Sequence, residues 1–158
     1  MTQLVRLETL DDRQKEAVRQ LWNENYPASL ALKSPEDLDK YLDGLSGLQH
    51  WIIKDAVTVA EVPMWAFTFG RDNATWFAII IDTEMQGVRI GTSMLDVLKR
   101  HNEELNGWVI DHDTELKLNG EPYRSPLAFY LKNNFEVLAS ERLETPAISA
   151  VKIRWKKN

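Results

Sequence analysis

The sequence contains no cysteine. That excludes a disulfide framework, a thiolate metal site and a cysteine nucleophile. It contains no apolar run near the roughly 18 residues that cross a bilayer, so no membrane partner is expected. The N-terminal MTQLVRLETLDD lacks a basic start leading into an apolar stretch. No signal peptide is therefore expected, and the expected location is cytoplasmic. Basic charge is in deficit: 19 Lys and Arg face 24 Asp and Glu, a net charge of −5. A nucleic-acid binder shows a basic face. The one basic cluster, KIRWKK, alternates like a strand, so no nucleic-acid partner is expected. The acidic balance mildly favours a cationic small molecule. There is no internal repeat, no low-complexity segment and no Pro/Gly/Ser linker, which makes residues 1–158 one expected domain. No G-x-S-x-G elbow and no Ser/His/Asp set supports a hydrolase.

What is present reads as strands and amphipathic helices. QLVRLE alternates like a strand. Asp11 to about Asn25 is helical, with Val18, Leu21 and Trp22 on one stripe. Ser34 caps a second helix, Pro35 takes its first position, and Asp37 completes a capping-box pattern. LQHWIIKD, VTVAEVPMWAFTFG and TWFAIIID are rich in β-branched and aromatic residues and read as strands. Arg71-Asp72-Asn73 joins the last two as a hairpin. FAIII lacks polar alternation, so both its faces are expected to be covered. A helix is expected from about Arg89 to Glu104, stopped by Asn106-Gly107, and GWVID follows as a short strand. Ser125-Pro126 opens a short helix, LAFYLKNN. FEVLA and AISAVKIRWKK are the last strands, and their edge is a candidate surface for a homodimer. The order β-α-α-β-β-β-α-β-α-β-β, with FAIII, helix and GWVI as a parallel crossover, predicts an α/β (α+β) mixed sheet with helices on both faces.

The strand-to-helix turn EMQGVRIGTSML carries the chemistry. It is neither a P-loop nor the G-x-G-x-x-G fingerprint. A helix start does leave four N–H groups without internal partners, and its dipole adds about half a positive charge. Val88 to Thr92 can aim such groups at a phosphate, and Gly91 has no Cβ to keep it away. On its own, the stretch reads first as a plain turn whose glycines allow tight packing, with the phosphate cradle as the alternative.

Gln86-Gly87-Val88-Arg89-Ile90-Gly91 resembles the acetyl-CoA-binding motif of the GNAT superfamily of N-acyltransferases, Gln/Arg-x-x-Gly-x-Gly/Ala, with Arg89 where the family has glycine. Ala128 to Phe135, AFYLKNNF, resembles the family's fYxKxGF segment, with Asn134 in place of glycine. The resemblance spans nearly the whole chain. It implies a GNAT-like fold of about seven strands and four helices, with acetyl-CoA as co-substrate. It implies an N-acetyltransferase in which a primary amine of a small-molecule or peptide acceptor attacks the thioester directly. The pyrophosphate falls to the backbone of Gln86, Gly87, Val88, Arg89, Ile90, Gly91 and Thr92, a cradle that survives at Arg89 if its φ stays negative. The pantetheine arm falls to the backbone of Ile79 and Ile81. Tyr130 matches the tyrosine that protonates the departing thiolate. Two positions depart from the family pattern. Thr75 stands where some relatives carry a glutamate base, and Tyr123 where many carry an asparagine.

A base is the least defined element. His112, between Asp111 and Asp113, is the candidate, with a polar loop residue as the alternative reading. Adjacent residues cannot all face one ion, so D-H-D is not expected to bind metal. Tyr26 is a candidate acceptor contact. Glu61 and Glu84 are weaker candidates to attract an amine. The departures also leave open a non-catalytic acyl-CoA sensor or interaction module with the same fold.

Overall fold

The computed structural model describes residues 3–54, 61–85 and 89–158. Its elements run β1 (Gln3–Leu7), α1 (Asp12–Asn25), α2 (Pro35–Asp43), β2 (Ser46–Lys54), β3 (Met64–Arg71), β4 (Ala74–Ile81), α3 (Ile90–His101), β5 (Glu104–Val109), α4 (Leu127–Lys132), β6 (Glu136–Glu144) and β7 (Ser149–Lys156). The strands form one seven-stranded sheet in the order β1-β2-β3-β4-β5-β7-β6. All neighbours are antiparallel except β4 and β5, the strands of the crossover through α3.

Local chemistry accounts for the boundaries. Asp11 caps α1 by accepting from Gln14 N, and the Gln14 side chain accepts from Asp11 N, a complete capping box. Ser34 caps α2 by accepting from Asp37 N. Its expected box is not closed at Ser34, because the Asp37 carboxylate accepts from Lys33 N instead, at 3.1 Å. Asp72 and Asn73 sit at φ 53° and 59°, the left-handed pair of a two-residue hairpin that Asp and Asn tolerate best.

The expected long third strand starts later. Glu61 to Pro63 form a bend and β3 begins at Met64, while Val57 to Ala60 lie outside the described residues. The third helix ends at His101 rather than about Glu104. Asn106 and Gly107 do not stop it but lie inside β5. A Cβ on Gly107 would come within 3.0 Å of the Phe77 ring and 3.4 Å of Phe77 O. This glycine therefore serves close approach to β4.

Two apolar clusters cover the two faces of the sheet. β3 divides between them by alternation: Trp65, Phe67 and Phe69 join α1 and α2 on one face, and Met64 and Ala66 meet α3 on the other. Trp65 and Phe67 are fully buried. In the first cluster the Trp65 indole N–H donates to His50 Nδ1 at 3.0 Å. β4 has its expected double cover, with Trp76, Ala78 and Ile80 in the first cluster and Phe77, Ile79 and Ile81 in the second. Trp76, Phe77 and Ile80 are buried, but Ala78, Ile79 and Ile81 keep partial exposure. The edge strand β6 is mostly exposed, carries a register shift between Leu138 and Arg142, and pairs Glu136 and Glu141 with Arg154 and Lys152 of β7. Irregularity and charge of this kind protect an edge from further pairing. Among the described residues no helix is long and apolar enough to cross a membrane.

Candidate active site

The site begins where β4 and β5 part. The two strands pair at Trp76↔Asn106, and Asn106 Nδ2 ties the junction by donating to Thr75 O at 3.1 Å. No further ladder pair joins them among the described residues. Thr75 belongs to this junction. Phe77 stands in the fork, in the space left by Gly107, and the Tyr130 ring packs edge-on against it at 5.7 Å. Two clefts open from the fork. One, of about 550 Å³, runs between β4, the first turn of α3 and α4. The other, of about 390 Å³, lies under α1 and α2. Ile79, Tyr26, Tyr123 and Tyr130 line both, so the clefts meet at these residues.

The first cleft gathers most of the expected site. Ile79, Ile81, Arg89, Ile90, Gly91 and Thr92 line it. Gln86, Gly87 and Val88 lie outside the described residues. Arg89 caps α3 and its carbonyl accepts from Ser93 N. Its φ is +61°, so the negative φ on which the cradle was expected to depend at Arg89 is not found. The backbone holds the left-handed conformation that glycine adopts freely and an L-residue adopts at a cost of roughly 1–2 kcal/mol. Replacing Arg89→Gly should therefore raise stability by about 0.5–1 kcal/mol, net of the extra freedom glycine brings to the unfolded chain. Equilibrium denaturation checks this, and a lower midpoint in the variant would contradict it.

Gly91 also serves the tight packing that the plain-turn reading expected, against neighbours the sequence did not reveal. Its missing Cβ would lie 2.9 Å from Phe129 Cζ and 3.0 Å from Ile81 Cδ1. Close packing of α3 onto β4 and α4 demands this glycine, whatever the turn binds.

Tyr130 is positioned by a short helix with a well-made end. Ser125 Oγ accepts from Leu127 N at the start of α4 and donates to Ile110 O. At the other end Asn134 takes φ 70°, the left-handed position anticipated for it, and Phe135 N donates back to Tyr130 O at 3.1 Å. The Tyr130 ring is buried among Phe77, Phe129 and Phe135. Burial raises its pKa well above the ordinary phenol range, with Tyr123 adding to the shift. Tyr123 is pushed up to about 12 by burial, and Tyr26 well above its usual value, chiefly by burial. Three neutral phenols thus surround the junction.

The D-H-D run is not part of either cleft. Asp111 pairs with Arg142 at 2.8 Å, His112 Nδ1 lies 2.8 Å from Thr114 Oγ1, and Asp113 accepts from Ser125 N. The structure therefore does not bring His112 to Tyr130. Glu61 pairs with Arg13 on the surface, and Glu84 is exposed in the turn after β4. Two residues that sequence reasoning passed over do join the first cleft. Arg124 and Lys132, with Arg89, give it three cationic side chains and no carboxylate among its described lining. Lys132 was visible within AFYLKNNF, whereas Arg124 stood in a polar loop with no signal.

By sequence, neither a family model nor a curated protein matches the chain. Its likeness to solved structures runs over nearly its full length. It is similar to an aminoglycoside 6'-N-acetyltransferase complexed with coenzyme A, at 11% identity and a TM-score of 0.68, covering 98% of this chain and 96% of that one. It is similar to an acyl-CoA N-acyltransferase from Pseudomonas aeruginosa, at 11% identity and a TM-score of 0.64, covering 98% and 99%. It is also similar to an acetyltransferase of the GNAT family from Streptococcus pneumoniae, at 11% identity and a TM-score of 0.59, covering 98% and 100%. With the single β4–β5 pair, the crossover through α3 and the cleft between them, the chain has the GNAT acyl-CoA N-acyltransferase fold.

Proposed function

We propose that the protein is an acetyl-CoA-dependent N-acetyltransferase acting on a primary amine. The observation that carries this reading is the fork between β4 and β5, with an aromatic, carboxylate-free cleft on one side and a cationic mouth on the other. An extended amide-bearing arm fits the β4 edge around Ile79, where the ladder to β5 has ended. Phosphates suit the mouth formed by Arg89, Arg124 and Lys132 at the start of α3, where charge-assisted bonds and the helix dipole act together. Such an arm supplies an activated thioester carbonyl at the junction.

The residues there do two things. The apolar walls favour the neutral, nucleophilic form of the amine over its ammonium form. The amine lone pair then forms the C–N bond, the C–S bond breaks, and its electron pair leaves on sulfur. The Tyr130 hydroxyl gives its proton to that sulfur, and the proton shed by the amine returns to the phenolate through water. No base is assigned, because no carboxylate or histidine stands among the described cleft residues.

Acetyl-CoA should raise the thermal unfolding midpoint in a concentration-dependent way, by about 2.7 kcal/mol of stability at a hundred times its dissociation constant. Acetyl-dephospho-CoA should give a smaller shift, because the cationic mouth loses one phosphate partner. The absence of any shift at saturating acetyl-CoA would refute the reading.

A further inference from the structure

The second cleft is the part of the junction that an arm in the first cleft leaves for the acceptor. Its lining is aromatic: Trp22, Tyr26, Tyr41, Trp76, Trp108 and Tyr123 all contribute. It contains no Asp or Glu among its described residues, and its single charged side chain is Arg71. That guanidinium is stacked 5.0 Å from the Phe69 ring and 5.6 Å from the Trp76 ring. The loops that flank the cleft are tied to one another. Ser29 Oγ, in the connection between α1 and α2, donates to Ala147 O in the β6–β7 turn at 2.7 Å. Ala28 N donates to Leu116 O at 2.8 Å, and Pro27 bridges to Lys117 of the loop after β5. Leu143 and Ile148, on either side of the β6–β7 turn, extend the lining.

These facts select among amines. An arriving ammonium finds ring faces, which attract one cation through their quadrupoles. It finds no carboxylate to hold the charge, so burial drives it toward the neutral base that the chemistry needs. A second fixed charge on the same molecule would be buried without a partner and in the same cleft as Arg71. A peptide would have to thread between loops that these hydrogen bonds hold together, whereas a small amine would not. From this, and resting on the N-acetyltransferase reading above, we infer that the acceptor is a small monoamine carried on an aromatic or apolar body, not a polyamine and not a lysine within a peptide.

The test compares 2-phenylethylamine, 1,4-diaminobutane and a lysine-containing hexapeptide as acceptors, following free thiol release from acetyl-CoA. 2-Phenylethylamine should exceed the other two in kcat/KM by at least tenfold. It should also quench the tryptophan fluorescence of the protein without acetyl-CoA, as packing beside the partly exposed Trp108 requires. In an Ile148→Asp variant, checked for an unchanged thermal shift with acetyl-CoA, the preference over the diamine should fall at least severalfold. Equal or better use of the diamine or peptide would overturn the inference. So would a normal acetyl-CoA shift with no turnover and no quenching by 2-phenylethylamine, which would leave the acyl-CoA site standing. Loss of the acetyl-CoA shift itself would instead remove the N-acetyltransferase reading and this inference together.

Discussion

Tyr130→Phe should lower kcat for acetyl transfer by about 10²–10⁴ while leaving the acetyl-CoA thermal shift unchanged. Each factor of ten is about 1.4 kcal/mol of barrier, so the expected loss is roughly 3–5 kcal/mol. The substitution is informative because the ring is already held by apolar contacts. Phe77, Phe129 and Phe135 pack edge-on or nearly so around it at 5.1–5.7 Å, and phenylalanine keeps all three contacts. Only the hydroxyl is removed. Because burial raises the Tyr130 pKa, the phenol stays protonated through neutral and mildly alkaline pH. Activity should therefore show no alkaline fall from this group below the ordinary phenol range. Single-turnover kinetics on the wild type and variant separate the chemical step from binding. An unchanged chemical rate in the variant would make Tyr130 a packing residue of α4 and nothing more.

Most of the architecture could be read from local pattern. The alternation of Trp65, Phe67 and Phe69 against Met64 and Ala66 is a period of two, and it places β3 between two covered faces. Asp72-Asn73 marks the hairpin because those residues tolerate positive φ. Asn134 marks the end of α4 for the same reason. Where the reading failed, the cause was a neighbour distant in sequence. Gly107 resembles a helix stop until Phe77, thirty residues earlier (107 − 77), is seen in the space its side chain would fill. At Gly91 the tight-packing reading was available, but its neighbour Phe129 was not visible in the sequence. The partial exposure of Ala78, Ile79 and Ile81 follows from the parting of β4 and β5, which no run of apolar residues encodes. The site divides in the same way. The turn before α3 and the Tyr130 segment were legible as motifs. The cationic mouth with Arg124 and the aromatic second cleft were not, because each assembles from segments far apart in sequence, Arg89 with Lys132 in the first and Trp22 with Tyr123 in the second.

His50 should make the fold acid-sensitive well above the pH at which the carboxylates are protonated. Trp65 Nε1 carries a hydrogen and can only donate, so His50 Nδ1 must accept, and the imidazole is neutral while that bond lasts. The ring is 2% exposed and stacks against Trp65. Burial lowers its pKa from 6.5 to about 4, with the positive charge of Lys15 adding to the effect. The unfolded chain binds a proton on this residue near pH 6.5, whereas the folded chain does so only near pH 4. Between those limits the unfolded state holds more protons, so stability falls as the pH falls. Above pH 6.5 both states are neutral and the residue adds no pH dependence. The full loss, reached near pH 4, is on the order of 3 kcal/mol. His50→Asn retains an acceptor near the Nδ1 position and cannot titrate in this range. Denaturant unfolding at pH 7, 5.5 and 4.5 should give the wild type a steeper decline than the variant. Carboxylates titrate in both proteins and cancel in the difference. Equal declines would mean that the folded protein accepts a proton at His50 as readily as the unfolded chain does, and that the Trp65 bond does not hold the ring neutral.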